Sequence, residues 1–201
     1  RSAKWERLDI LVNNAGISVV GSIEDTSPEE ARRQIDTNLF GTAAVTRAVL
    51  PHMRKQGGGS IVNVTSGAGM IGAPTLSVYC STKFALEGLT EAIAMEYKPL
   101  NIQARTVAPG AYNTRFEANL DESNLTVGDE QLTNHAQKLL AHMQSVMTSF
   151  RPKGAAEADP QEVADKIYKC ATSKTPIHNP VGADAEMLIQ MKRSMPQQDF
   201  L

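Results

Sequence analysis

Cysteine and histidine are scarce in this chain. Cys80 and Cys170 are the only thiols in 201 residues, and no spacing pairs them, which argues against a disulfide framework. The four histidines, His52, His135, His142 and His178, are scattered. No acidic or cysteine partner completes a three- or four-ligand set with them, so no metal site is expected. No apolar run reaches the 18 residues of a membrane span, and no membrane partner is expected. A net charge of −2 without a basic stripe gives no electrostatic case for nucleic acid. With no signal peptide recognisable, a reducing, cytoplasmic setting fits best. Also lacking is a glycine-rich loop between a strand and a helix, the arrangement that cradles a dinucleotide pyrophosphate.

What remains is an ordinary globular composition, 41% apolar and 21% charged. One domain over residues 1–201 is the default for that length. Strand and helix signals alternate along it. A short apolar run at Leu8–Asn13 reads as a strand that ends in the turn Asn13-Asn14-Ala15-Gly16. Ser27-Pro28-Glu29-Glu30 reads as a capped helix start, with Ser27 as N-cap and Glu30 closing the box. That helix is expected to run to Lys55, with Pro51 as the point of kinking. Ser60–Ser66 is a second strand, Ser77–Tyr97 a long helix, and Ile102–Ala108 a third strand ending at Pro109-Gly110. The strands are apolar throughout, which implies burial on both faces, as in parallel sheets. Further helices are expected over Asp129–Phe150, from Asp159 to about Ser173, and over Ala183–Met195, with a fourth strand at Ile177–Val181. The fold class is α/β: a doubly wound, Rossmann-like parallel sheet with helices on both faces.

The chemistry is concentrated in four residues: Asn38, Ser66, Tyr79 and Lys83. Tyr79 and Lys83 are four apart on a helix, so they leave the same face. Ser66 ends an apolar strand, at the sheet edge where α/β folds bind ligands. A free phenol has a pKa near 10, too high for a general base at neutral pH. A Lys83 ammonium one turn away is expected to lower it by roughly two to three. Tyr79 then protonates a carbonyl oxygen or deprotonates an alcohol, and Ser66 hydrogen-bonds the same oxygen. Chance alone gives about 0.2 Tyr-x-x-x-Lys pairs in a chain of this composition, so the pair is weak by itself. The tetrapeptide Asn-Asn-Ala-Gly is far rarer, at about 0.004 occurrences. Cys80 lies about 100° round the helix from Tyr79 and reads as packing.

Taken together, these residues resemble the non-extended branch of the short-chain dehydrogenase/reductase family. Asn13-Asn14-Ala15-Gly16, Asn38, the 13-residue step from Ser66 to Tyr79, Tyr79-x-x-x-Lys83 and Pro109-Gly110-x-x-x-Thr114 match its motifs in order. The resemblance implies reversible hydride transfer between NAD or NADP and an alcohol or ketone. It makes Tyr79 the acid/base and Lys83 the ligand of the nicotinamide ribose. Ser66 would orient the substrate oxygen, and Asn38 would hold a water between Lys83 and solvent. Pro109, Gly110 and Thr114 would contact the carboxamide, with Asn13, Ala15 and Gly16 near the adenosine ribose.

The family begins with βα units that carry the pyrophosphate loop. The expectation is therefore a fragment short of its N-terminal strands by about 70–80 residues, at roughly 30 per βαβ unit. NAD and NADP are not distinguished. An inactive remnant serving as a binding or oligomerisation module is the alternative. A sugar epimerase of the extended branch fits less well, because Asn-Asn-Ala-Gly is the wrong strand motif for it. Residues 111–158 are expected to form the substrate loop or lid. In that reading Tyr112, Phe116, Leu120, Met143, Met147 and Phe150 line an apolar pocket; the alternative is that the stripe is helix core. The helices at 28–55 and 77–98 resemble those the family uses for homodimer or homotetramer contacts.

Overall fold

The computed structural model describes residues 7–118, 120–126, 128–149 and 159–196. Four parallel strands, β1 (Ile10–Asn13), β2 (Gly59–Val64), β3 (Ile102–Pro109) and β4 (His178–Val181), stand side by side in chain order. The register pairs Leu11 with Ile61, Ile61 with Ala104, and Thr106 with His178. Parallel neighbours require crossovers, and helices supply them.

The first crossover begins as the sequence indicates. The Ser27 hydroxyl accepts from Glu30 N at 3.2 Å, and the Glu30 carboxylate accepts from Ser27 N at 2.9 Å. The Ser27 hydroxyl, which donates to Glu30 Oε2 at 2.7 Å, the Asn124 amide and Ser27 N together hold the Glu30 carboxyl below the usual carboxylate range. Helix α1 (Pro28–Ile35) passes into a π-turn at Asp36–Gly41 and then into α2 (Thr42–Lys55). The helix continues through Pro51, and an irregular turn lies at Asp36–Gly41. A π-turn fits one extra residue into the helix. Here it seats Asn38 at 0% exposure.

Side chains alternate across each strand. Ile61, Ile102 and Ala104 pack with Leu50 and Met53 of α2 and Ile93 of α3 (Ser77–Tyr97). Val62, Val107 and Val181 pack on the opposite face with Cys170 of α6 (Pro160–Thr172). The short α4 (Arg115–Ala118) has no counterpart in the sequence reading. Helix α5 (Glu130–Ser149) sets Ala136 and Leu140 against Val20, Leu76, Leu120 and Leu125, so part of its apolar stripe is core. Phe150 falls outside the described residues. Helix α7 (Ala183–Ser194) follows Gly182, whose φ of +102° suits glycine.

One expectation needs correction. Full burial on both faces holds for β2 and for most of β3, but not for β1. Ile10 is 45% exposed and Val12 is 41% exposed. The cause is position: β1 pairs only with β2 and forms the edge of the sheet.

Candidate active site

The carboxyl ends of β1, β2 and β3 converge on one edge, and α3 brings two side chains to it. Ser66 follows β2 in extended backbone, and its hydroxyl accepts from Ala68 N at 3.1 Å. The Gly67–Gly69 turn that it caps lies against α3. A Cβ on Gly69 would come within 2.9 Å of the Lys83 carbonyl oxygen, so only glycine permits that approach.

Tyr79 is 7% exposed and Lys83 is 4% exposed. Lys83 Nζ lies 5.5 Å from the centre of the Tyr79 ring and donates to the Val64 carbonyl at 3.1 Å. Burial pushes the Tyr79 phenol up to about 12, while a hydrogen bond with the Ser66 side chain works the other way. Burial pushes the Lys83 ammonium down to about 8, and the charge of Glu87 opposes this. The expected lowering of the tyrosine pKa is therefore reversed here. Desolvation disfavours the charged form of each group and is the larger effect on both. Tyr79 is a protonated phenol at neutral pH, a ready donor. An ammonium has three N–H groups. Lys83 spends one on Val64 and keeps two spare among the described residues. They lie beside Gly16, where an added Cβ would sit 3.4 Å from Nζ.

Asn38 meets the backbone of Ile17 at two points. Its Oδ1 accepts from Ile17 N and its Nδ2 donates to Ile17 O, both at 2.9 Å. Nδ2 also donates to Thr82 Oγ1 at 3.1 Å. The amide thus ties the segment after β1 to α3 next to Lys83. Asn13 points into the helix layer. Its Nδ2 donates to Thr46 Oγ1 at 3.0 Å and Asn63 Oδ1 at 2.8 Å, and Asn63 donates onward to Thr90 Oγ1 at 2.8 Å. Both N–H groups of the Asn13 amide are thus spent inside the helix layer. Ala15 is exposed and Gly16 half-buried at the same edge.

At the end of β3, the Pro109–Ala111 corner is held from β4 and α7. Gly110 N donates to Val181 O at 2.9 Å, and Ala111 N donates to Asp184 Oδ2 at 2.8 Å. A Cβ on Gly110 would fall 2.0 Å from Asp184 Oδ1. Asp184, 5% exposed, is a residue that the sequence reading missed. An acid in the first turn of a helix is an ordinary choice and gives no signal. Thr114 Oγ1 accepts from Phe116 N at 3.3 Å, and the Phe116 ring stands 5.9 Å from that of Tyr79. Tyr112 does not join them. It packs with Val62, Val107 and Cys170 on the α6 face and donates to Glu162 Oε2 at 2.7 Å. Burial and that carboxylate push its phenol up. Cys80 is packing, as its position round the helix suggests: its Sγ is buried and accepts from Ala73 N at 3.3 Å.

A family model described as short chain dehydrogenase matches residues 2–125. The chain belongs to the short-chain dehydrogenase family. An uncharacterized oxidoreductase of Bacillus subtilis, YusZ, is 38% identical over 192 residues, which cover 94% of this chain and 66% of that protein. A short-chain dehydrogenase from Streptomyces avermitilis superposes with a TM-score of 0.76 at 32% identity, over 98% of this chain and 69% of that one. One from Mycobacterium paratuberculosis, solved with NAD, gives 0.73 at 31% identity, over 89% and 65%. ElxO, solved with NADP, gives 0.70 at 31% identity, over 92% and 69%. This short-chain dehydrogenase thus spans about two thirds of the length of the relatives it matches. Among its described residues, no helix is long and apolar enough to cross a membrane, and no group of three or more His, Cys, Asp or Glu side chains could hold a metal ion.

Proposed function

We propose that the protein is an NAD(P)-dependent oxidoreductase that interconverts an alcohol and a carbonyl compound, with Tyr79 as general acid/base. One observation carries this reading: the Tyr79 phenol, bonded to Ser66, shares a sheet edge with a buried Lys83 that keeps two donors spare. The vicinal hydroxyls of a ribose would satisfy those donors, so the residues present fit the nicotinamide half of the cofactor. Lys83 would hold the ribose, Pro109, Gly110 and Thr114 the carboxamide, and Ala15, Gly16 and the Asn13 backbone the adenosine side. NAD or NADP, when bound, supplies or accepts the hydride.

In reduction, Tyr79 gives its phenolic proton to the carbonyl oxygen; in oxidation, the phenolate takes the proton from the alcohol. Ser66 donates to the same oxygen and fixes its line of approach. The Lys83 ammonium stabilises the phenolate once the proton has left. Asn38 keeps Gly16 and Ile17 in place beside Lys83. Phe116, 40% exposed beside Tyr79, favours an apolar substituent on the substrate. Residues 111–158 act as the substrate segment of the single domain. A homodimer or homotetramer would form through α2 and α3, where Val45 and Phe84 are 46% and 41% exposed.

The test is Tyr79→Phe, assayed with NAD and NADP against a panel of secondary alcohols and ketones. Loss of the hydroxyl should lower kcat by roughly 10²–10⁴, the range of general acid–base catalysis. The circular dichroism spectrum should not change. A variant that turns over like the parent would remove Tyr79 from this role.

A further inference from the structure

A second polar cluster begins one helical turn beyond Lys83. Glu87 is on the same face of α3 and is only 7% exposed. A carboxylate at that depth needs donors, and both of its oxygens have them. Thr65 Oγ1 donates to Oε1 at 2.5 Å, and Thr106 Oγ1 donates to Oε2 at 2.9 Å. His178 Nδ1 lies 2.5 Å from the same Oε2. The other ring nitrogen of His178 lies 2.6 Å from Glu91 Oε1, on a side chain that is 53% exposed. A neutral imidazole has one N–H, and only the imidazolium donates from both nitrogens at once. With both ring nitrogens against carboxylate oxygens, an imidazolium at His178 would complete a line of alternating charge from the site to the surface: Lys83, Glu87, His178, Glu91. The inner two groups share an anchor, because Lys83 is held by the Val64 carbonyl and Glu87 by the next residue, Thr65.

The charged groups that face Glu87 are Lys83 and Glu91 from α3 and His178 from β4. Among the described residues, Thr106 of β3 and Thr65, just after β2, offer it their hydroxyls. We propose that Glu87 is a positioning residue that keeps the buried Lys83 ammonium charged, and that His178, from the surface side, sets how much of the Glu87 charge Lys83 feels. The pull of Glu87 against the effect of burial on Lys83 points the same way. The consequence for turnover rests on the oxidoreductase reading above; the effect on Lys83 does not.

The two variants have opposite signs. Glu87→Gln removes the negative charge and leaves the imidazolium, so Lys83 gives up its proton at lower pH. His178→Gln removes the positive charge and leaves the carboxylate, so Lys83 keeps its proton to higher pH. A merely structural role predicts neither movement. The measurement is the NMR titration of Lys83 in the full chain without cofactor, with ¹³C-labelled lysine and the signal assigned by Lys83→Arg. The midpoint should fall by about one pH unit in Glu87→Gln and rise by about half a unit in His178→Gln, in keeping with the usual effect of a neighbouring charge. Two unmoved midpoints, or two that move in the same direction, overturn the proposal. If Glu87→Gln does not melt cooperatively, His178→Gln decides alone, since its side chain is 26% exposed. A rise supports the proposal, and a fall or no change overturns it. The alkaline limb of kcat should follow the same two directions. A limb that stays fixed while the midpoints move still supports the hold on Lys83, and counts instead against the part of Lys83 in turnover.

Discussion

Lys83 works against the fold that encloses it. Its pKa falls from the ordinary 10.5 to about 8 in the folded chain. Between those values the folded state binds fewer protons than the unfolded state, so stability rises with pH across that window. Below about pH 8 the whole cost of the buried charge is present. Lys83→Met removes that cost and should stabilise the protein at pH 7 by about 1–3 kcal/mol, since each unit by which the pKa is lowered corresponds to about 1.4 kcal/mol. The gain should shrink toward pH 10, and thermal melts across pH would show it. Tyr79 carries the opposite sign. Its pKa rises from 10.0 to about 12, so the folded state keeps a proton that the unfolded state releases. Stability falls as pH climbs through that range, and Tyr79→Phe should flatten the fall. That Tyr79 and Lys83 share a helix face was legible from spacing; that Ser66 joins them came from its place at a strand end and from the family resemblance. The direction of the tyrosine shift was not legible. It depends on how deeply α3 is buried, which no local spacing encodes. For the same reason the polarity of Asn38 was legible, while the pairing of its amide with the Ile17 backbone was not.

At the level of elements, the loop after β3 depends on a helix more than seventy residues downstream. Asp184, in the first turn of α7, accepts from Ala111 N and fills the space that Gly110 leaves open. Asp184→Ala removes a buried charged acceptor, which typically costs about 1–3 kcal/mol. It should loosen the Pro109–Gly110 corner. Binding of the nicotinamide cofactor, followed by fluorescence titration, should weaken by roughly tenfold, equivalent to about 1.4 kcal/mol. Asp184→Asn keeps the shape and one acceptor and should lose less. Affinity unchanged in the alanine variant would show that the corner holds without its pin. The starts of α1 and α6 were legible, since Ser27 and Asp159 are local start signals. The π-turn at Asp36–Gly41 was not, because it answers a tertiary demand, the inward seating of Asn38 against the segment after β1.

At the scale of the whole sheet, the apolar outer face of β1 is the main liability among the described residues. Ile10 and Val12 are more than two-fifths exposed on a strand with one neighbour. Open apolar edges invite pairing with other chains. The 201-residue chain should associate in a concentration-dependent way, and Ile10→Lys with Val12→Lys should suppress this in light scattering. Scattering that the lysines leave unchanged would place the association elsewhere, on α2 and α3. The doubly wound class was legible from alternating signals; the bare edge followed only once the neighbours of β1 were known. The strand order has a bearing on biosynthesis. Because β1, β2, β3 and β4 lie in the sheet in the order in which they occur in the chain, β2, β3 and β4 each leave the ribosome to meet the strand made before them, and domains form in step with translation. Gly16 arrives first, then Ser66, Tyr79 and Lys83, then Gly110. Asp184 is made last, so a nascent chain carries the reactive groups together well before the clasp on their cofactor corner closes.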